Sequence, residues 1–112
     1  MSTKTDVFIK DRADPFITKG SDGYYYFTAS FPMYGKDDPQ GYDRIILRRS
    51  RTVAGLQTAE EKVIWHTDGS ETAFRFIWAP EIHEIGGKWY VFFAASASEK
   101  NERMIITVKY FF

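Results

Sequence analysis

The chain has no cysteine among its 112 residues, which excludes a disulfide framework and a thiolate-held metal. Its two histidines, His66 and His83, are too few for a histidine-built metal centre, and no cofactor is expected. Neither charge is in excess. Fifteen basic residues balance fifteen acidic ones, so no positive field exists to gather a nucleic-acid backbone. The one dense basic run, Arg44, Arg48, Arg49 and Arg51, reads as a solvated strand face. No stretch approaches the roughly 20 apolar residues of a membrane span. Residues 1–10 are polar and lack the apolar core of a signal peptide. The expected location is therefore cytoplasmic, or secreted if a leader has been removed. Helical periodicity is scarce as well, and only 58–62 suits a turn of helix.

Aromatic side chains are what the chain has in plenty: 10 Phe, 7 Tyr and 3 Trp, or 18% of the residues. Such side chains favour pleated, half-buried surfaces, so the class expected is all-β. Most of them belong in a core; the rest offer flat faces of the kind on which a sugar ring stacks. At this length one small domain with a modest core is expected.

The strands follow from the punctuation. Residues 14–19 read as a first, inner strand with Pro15 at its beginning or edge, where a missing N–H is tolerated. Asp22-Gly23 supplies a hairpin turn into a second strand over 24–30. A loop over 31–41, rich in Gly, Pro and Asp, leads to a third strand at 43–50, and Gly55-Leu56 turns into a fourth at 60–66. The pattern then restarts. Residues 77–85 lead through Gly86-Gly87 into 88–95, and a loop at 96–101 leads to 102–108. Arg44-Ile45-Ile46-Leu47 and Arg103-Met104-Ile105-Ile106 occupy matching places in the two units.

A repeat of about 60 residues made of four short antiparallel strands is the signature of a β-propeller blade. One blade over about 12–66 and an incomplete second over about 77–112 are expected, a partial propeller. A propeller closes with roughly 4 to 8 blades, so two blades leave apolar flanks open. The aromatic end Tyr110-Phe111-Phe112 adds to them, and self-association through the open faces is expected.

Each unit also presents a carboxylate just before its aromatic strand. Asp14 stands in Arg12-Ala13-Asp14-Pro15-Phe16-Ile17 and Glu81 in Trp78-Ala79-Pro80-Glu81-Ile82-His83. The aromatic strands that follow, 24–30 and 90–96, both end in Ala-Ser. The two acids are read as equivalent positions of the repeat, pointing at one place. Paired carboxylates in an aromatic-rich, sugar-sized site are the working parts of glycoside hydrolysis. Trp78 and Phe31 are candidate platforms for a furanose ring, and His83, on the same face of its strand as Glu81, is a candidate partner for a hydroxyl. Bland readings stand beside these. Asp14 before proline suits a turn or cap, Glu81 suits a strand-edge acid paired with an arginine, and His83 a structural histidine. Trp78 and Phe31 equally suit the core, and Asp37, Asp38 and Asp43 a solvated acidic loop whose spacing matches no calcium motif.

Together, Arg12-Ala13-Asp14-Pro15, residues 24–32, residues 42–50, and Ile77-Trp78-Ala79-Pro80-Glu81-Ile82-His83 with Gly87-Lys88-Trp89-Tyr90 resemble the amino-terminal part of glycoside hydrolase family 43. These are five-bladed propeller enzymes, and the chain looks closest to their α-L-arabinofuranosidase branch. The resemblance implies cleavage, with inversion, of terminal arabinofuranosyl or xylosyl units of plant polysaccharide. It implies that Asp14 is the general base and that Glu81 tunes the proton donor's pKa; beside them Arg12, Phe31, Trp78 and His83 are the candidate substrate contacts. The donor itself is a Glu on the family's third blade, beyond this chain's motifs. The local candidates Glu71, Glu84, Glu99 and Glu102 sit in none. The alternatives are a catalytically incomplete propeller fragment that self-associates, and a carbohydrate-binding remnant without turnover.

Overall fold

The computed structural model describes residues 7–32, 41–67, 75–96 and 104–110, with Arg75 and 104–110 described by backbone alone. The acidic pair Asp37-Asp38, the candidate donors Glu71, Glu99 and Glu102, and the terminal Phe111-Phe112 lie outside those residues. Among the described residues, seven strands form two antiparallel sheets. β1 (Ala13–Lys19), β2 (Tyr25–Ser30), β3 (Arg44–Ser50) and β4 (Lys62–His66) make a four-stranded sheet in sequence order. β5 (Arg75–Ile85), β6 (Lys88–Ser96) and β7 (Met104–Tyr110) make a three-stranded one. The all-β expectation is borne out, and Pro15 lies on an edge strand, where its missing donor costs no ladder bond. Gly86 and Gly87 both have left-handed φ, 60° and 78°, as a two-residue hairpin turn requires. Among the described residues the turn of helix is a 3₁₀ turn at Ala54–Gln57, not at 58–62. Leu56 explains the shift, because it drops fully buried onto Phe27, Ala29 and Ile46.

The core has two layers. Phe27, Ala29, Phe31 and Ile46 face the side of the first sheet that Leu56 covers. Tyr26 and Ile45 face the second sheet, where Ile77, Ile82, Trp89, Val91, Phe93 and Ala95 meet them. Tyr26 packs on Trp89 with ring centroids 4.6 Å apart, and Trp65 on Phe93 at 5.3 Å. Strict alternation would put Ile77 and Ile82 on opposite faces. Between Trp78 and Glu81, however, β5 spends three residues against two of β6, from Ala94 to Phe92, and this bulge returns Ile82 to the core.

The same registers correct the reading of the two acids. With the aromatic strands 24–30 and 90–96 matched, Glu81, opposite Phe92, corresponds to Thr18, opposite Tyr26. Asp14 lies instead inside the bulge of β1, with left-handed φ of 51°, directly before Pro15. By the same register its counterpart is Phe76, φ 57°, whereas Ala79, φ 49° and likewise before a proline, sits in a second bulge of β5 that β1 lacks. The repeat therefore does not place the carboxylates equivalently, because β5 carries one more bulge than β1.

The arginine run is only half a solvated face. Arg49 and Arg51 are exposed, whereas Arg44 and Arg48 are half-buried and paired. Arg44 holds Asp43, with Nε 2.6 Å from Oδ1. Arg48 donates to Glu61 Oε2 at 3.1 Å and to the carbonyls of Leu56 and Gln57 at 3.0 Å each. Arg12 donates from Nε to the same Oε2 at 3.2 Å. Burial alone pushes the Glu61 carboxyl up, but the hydrogen bond and charge of Arg12, then those of Arg48, outweigh it. The net result is a carboxyl held below its usual 4.5. Glu61→Gln leaves two guanidinium groups facing a neutral amide, and should lower unfolding free energy at pH 7 by about 2 kcal/mol. That is less than the ~3–5 kcal/mol of a fully buried pair, because these side chains keep 11–17% exposure. A depressed carboxyl stabilises above its unfolded value and loses that contribution as pH falls through its folded one. The gap between the variant and the parent should therefore close below about pH 4.5. A gap in urea unfolding that stays constant from pH 7 to pH 3 would contradict this account.

Candidate functional site

Asp14 owes its position to the bulge. A left-handed backbone at a non-glycine residue is uncommon, and a following proline restricts it further, so the surroundings must hold it. What holds it is Ser30, at the end of β2 and fully buried. The Ser30 hydroxyl donates to Asp14 Oδ2 at 3.1 Å and accepts the N–H of Ala79 at 2.7 Å. β1, β2 and β5 thus meet at one oxygen atom, with a strained X-Pro step on either side of it. The Asp14 residue itself is exposed, so its carboxylate reaches solvent from a fixed base.

Further along β5, Glu81 Oε1 lies 3.0 Å from His83 Nε2, with both side chains about half exposed. The His83 ring stands against Phe16 of β1, at 5.2 Å, and Phe92 of β6, at 5.7 Å. Ala79, Glu81, His83, Ile85, Phe92 and Ala94 line an open, largely apolar concavity of about 580 Å³. Glu81 pairs with the histidine two residues on, and with no arginine among the described residues. Among those residues no group of three or more histidine and carboxylate side chains gathers where a metal ion would sit.

Two of the expected substrate contacts are placed elsewhere. Arg12 is committed to Glu61 as described, its guanidinium 11% exposed. Phe31 is 7% exposed, with the guanidinium carbons of Arg12 and Arg44 at 3.9 and 4.0 Å from its ring centre. It is a buried anchor for two cations rather than a platform open to a sugar, because the arginines occupy the approach to the ring. Trp78 is half-buried, edge-on to Tyr42 at 5.8 Å and Phe76 at 5.3 Å. Its Nε1 is buried with no hydrogen-bond partner among the described residues. Glu84, considered as a donor, is occupied in tying the β1–β2 turn to β5: it accepts from the Ser21 N–H at 2.8 Å and from the Ser21 hydroxyl at 2.6 Å. Ser30 was missed. The Ala-Ser that closes both aromatic strands was its only trace in the sequence, a small polar residue where the pattern calls for a buried one.

The sequence profile described as "Glycosyl hydrolases family 43" matches residues 4–109. Among curated relatives, an extracellular exo-α-(1→5)-L-arabinofuranosidase of Streptomyces chartreusis is 51% identical over 100 residues. That match covers 89% of this chain and 28% of the relative. An α-L-arabinofuranosidase B of Pyricularia oryzae is 43% identical over 89 residues, covering 80% and 17%. The crystal structure of an α-L-arabinofuranosidase from Lactobacillus brevis superposes with a TM-score of 0.75 at 42% identity, covering 90% of this chain and 31% of that one. The chain thus spans less than a third of the length of each of these proteins. With the profile running over nearly all of it, and with two stacked antiparallel sheets that superpose on part of such an enzyme, the chain belongs to glycosyl hydrolase family 43.

Proposed function

We propose that this chain is the part of a family 43 hydrolase that carries the general base, acting on terminal arabinofuranosyl, or xylosyl, linkages with inversion. The observation that carries the reading is Asp14. It is an exposed carboxylate on a strained bulge with one oxygen hydrogen-bonded at 3.1 Å, in the segment shared with relatives named arabinofuranosidases. A base acting near neutral pH needs an ionised carboxylate beside a bound water. In the proposed step, that water gives a proton to Asp14 as its oxygen bonds to the anomeric carbon. The glycosidic C–O bond breaks with its electrons on the leaving oxygen, which takes a proton from the acid. In inverting enzymes the two groups stand about 6.5–9.5 Å apart, leaving room for the water. Glu81, on the neighbouring inner strand, is assigned to tune the donor, and His83 at 3.0 Å fixes its orientation. The donor is assigned to sequence beyond the matched third of the relatives or to a second copy. The word "extracellular" in the name of the Streptomyces chartreusis relative favours secretion over the cytoplasmic expectation.

A second reading, a non-catalytic unit that self-associates, draws on the open concavity around Phe92 and Ile85, the latter 54% exposed. Release of p-nitrophenol from the aryl α-L-arabinofuranoside and the aryl β-D-xyloside separates the two readings. Turnover of the arabinofuranoside that rises faster than linearly with protein concentration would place the donor in a second copy. A folded sample without turnover of either substrate leaves the second reading in possession.

A further inference from the structure

We propose that Ser30 is a positioning residue: its hydroxyl converts the docking of the second sheet into the orientation of the Asp14 carboxylate. This rests on the reading of Asp14 as the base. A serine hydroxyl has one proton and two lone pairs. The N–H of Ala79, at 2.7 Å, takes up a lone pair, so the proton is left for Asp14 Oδ2, at 3.1 Å. The direction of both bonds is therefore fixed. Oδ2 becomes the anchored oxygen, and Oδ1, with no hydrogen bond among the described residues, is the one presented to a water. The bridge sits where strain makes it consequential, since both Asp14 and Ala79 hold left-handed φ before a proline. Ser30 is fully buried, so bulk water does not compete for its hydroxyl. β5 thus reaches across the sheet interface to set a carboxylate that belongs to β1.

The test compares the chain with Ser30→Ala, and with Ser30→Thr and Ser30→Val, two variants of nearly equal shape that differ in the hydroxyl. Amide hydrogen exchange at Ala79 and the side-chain carboxyl carbon resonance of Asp14 are read by NMR, and arabinofuranoside turnover alongside. Without the hydroxyl, in Ala and Val, Ala79 exchange should rise about tenfold or more and the Asp14 resonance should move. Exchange at Ile77, whose N–H is held by the Tyr42 carbonyl at 2.8 Å, should stay as it was. Where the chain turns substrate over, kcat should fall about tenfold at nearly constant KM, because a misdirected base is lost in the transition state alone. Ser30→Thr should restore all three. Unmoved Ala79 exchange and Asp14 resonance in the Val variant would overturn the bridge. A moved resonance with unchanged kcat would reduce Ser30 to a structural role and overturn the positioning. Asp14→Asn keeps the two readings apart: if it turns over like the parent, the assignment of the base fails, while the Ala79 and Asp14 signals still decide the bridge.

Discussion

Asp14→Asn is expected to reduce arabinofuranoside hydrolysis by about 10²–10⁴-fold, the range lost when a positioned general base is removed. The substitution isolates proton transfer from structure. Asn tolerates the left-handed conformation that Asp14 holds at φ 51°, so the bulge survives. Its carbonyl oxygen still accepts from the Ser30 hydroxyl, and the joint between β1, β2 and β5 stays closed. The amide lacks the capacity to take a proton from water. The unfolding midpoint should consequently move little while kcat collapses and KM holds. Unchanged turnover in a folded Asn variant would remove Asp14 from the chemistry. The bulge would then be a structural feature of an edge strand, and the carboxylate a cap on the Ser30 hydroxyl.

The turns and strands were legible because their signals are local. Asp22-Gly23 and Gly86-Gly87 mark hairpins by the backbone they permit, and the aromatic runs between them fill both faces of β2 and the core face of β6. Features that join distant residues were not legible. Arg12 and Glu61 are 49 positions apart, and nothing in either neighbourhood announces that one carboxylate will hold two arginines. Once Arg12 and Arg44 close over Phe31, an aromatic side chain beside the candidate base ceases to be available to a ligand. Bulges are the hardest case. A left-handed Asp14 or Ala79 changes the phase of a strand without changing its composition. For that reason a match of two Pro-containing motifs by eye set Glu81 against Asp14, when the register sets it against Thr18. The two acids are therefore not a symmetric pair.

Phe93→Ala is expected to cost about 3–5 kcal/mol, the range for deleting a buried aromatic ring, and so to leave much of the chain unfolded at ambient temperature. A native domain has only about 5–15 kcal/mol to lose. Phe93 is 2% exposed between the sheets, against Trp65, at the centre of the cluster that includes Ile45, Ile77 and Ile82. Phe92, its neighbour in β6, provides the control. It points to the opposite face, into the open concavity beside His83, and is half-buried there. Phe92→Ala should cost under about 1 kcal/mol in urea unfolding at low concentration, because little apolar surface leaves contact. If copies of the chain cover this face, the same substitution should weaken their association in sedimentation velocity while leaving the monomer folded. Adjacent residues on one strand then report separately on the two faces of the second sheet. Equal destabilisation by both substitutions at low concentration would mean that the concavity closes within a single chain. It would also remove the open face on which self-association depends.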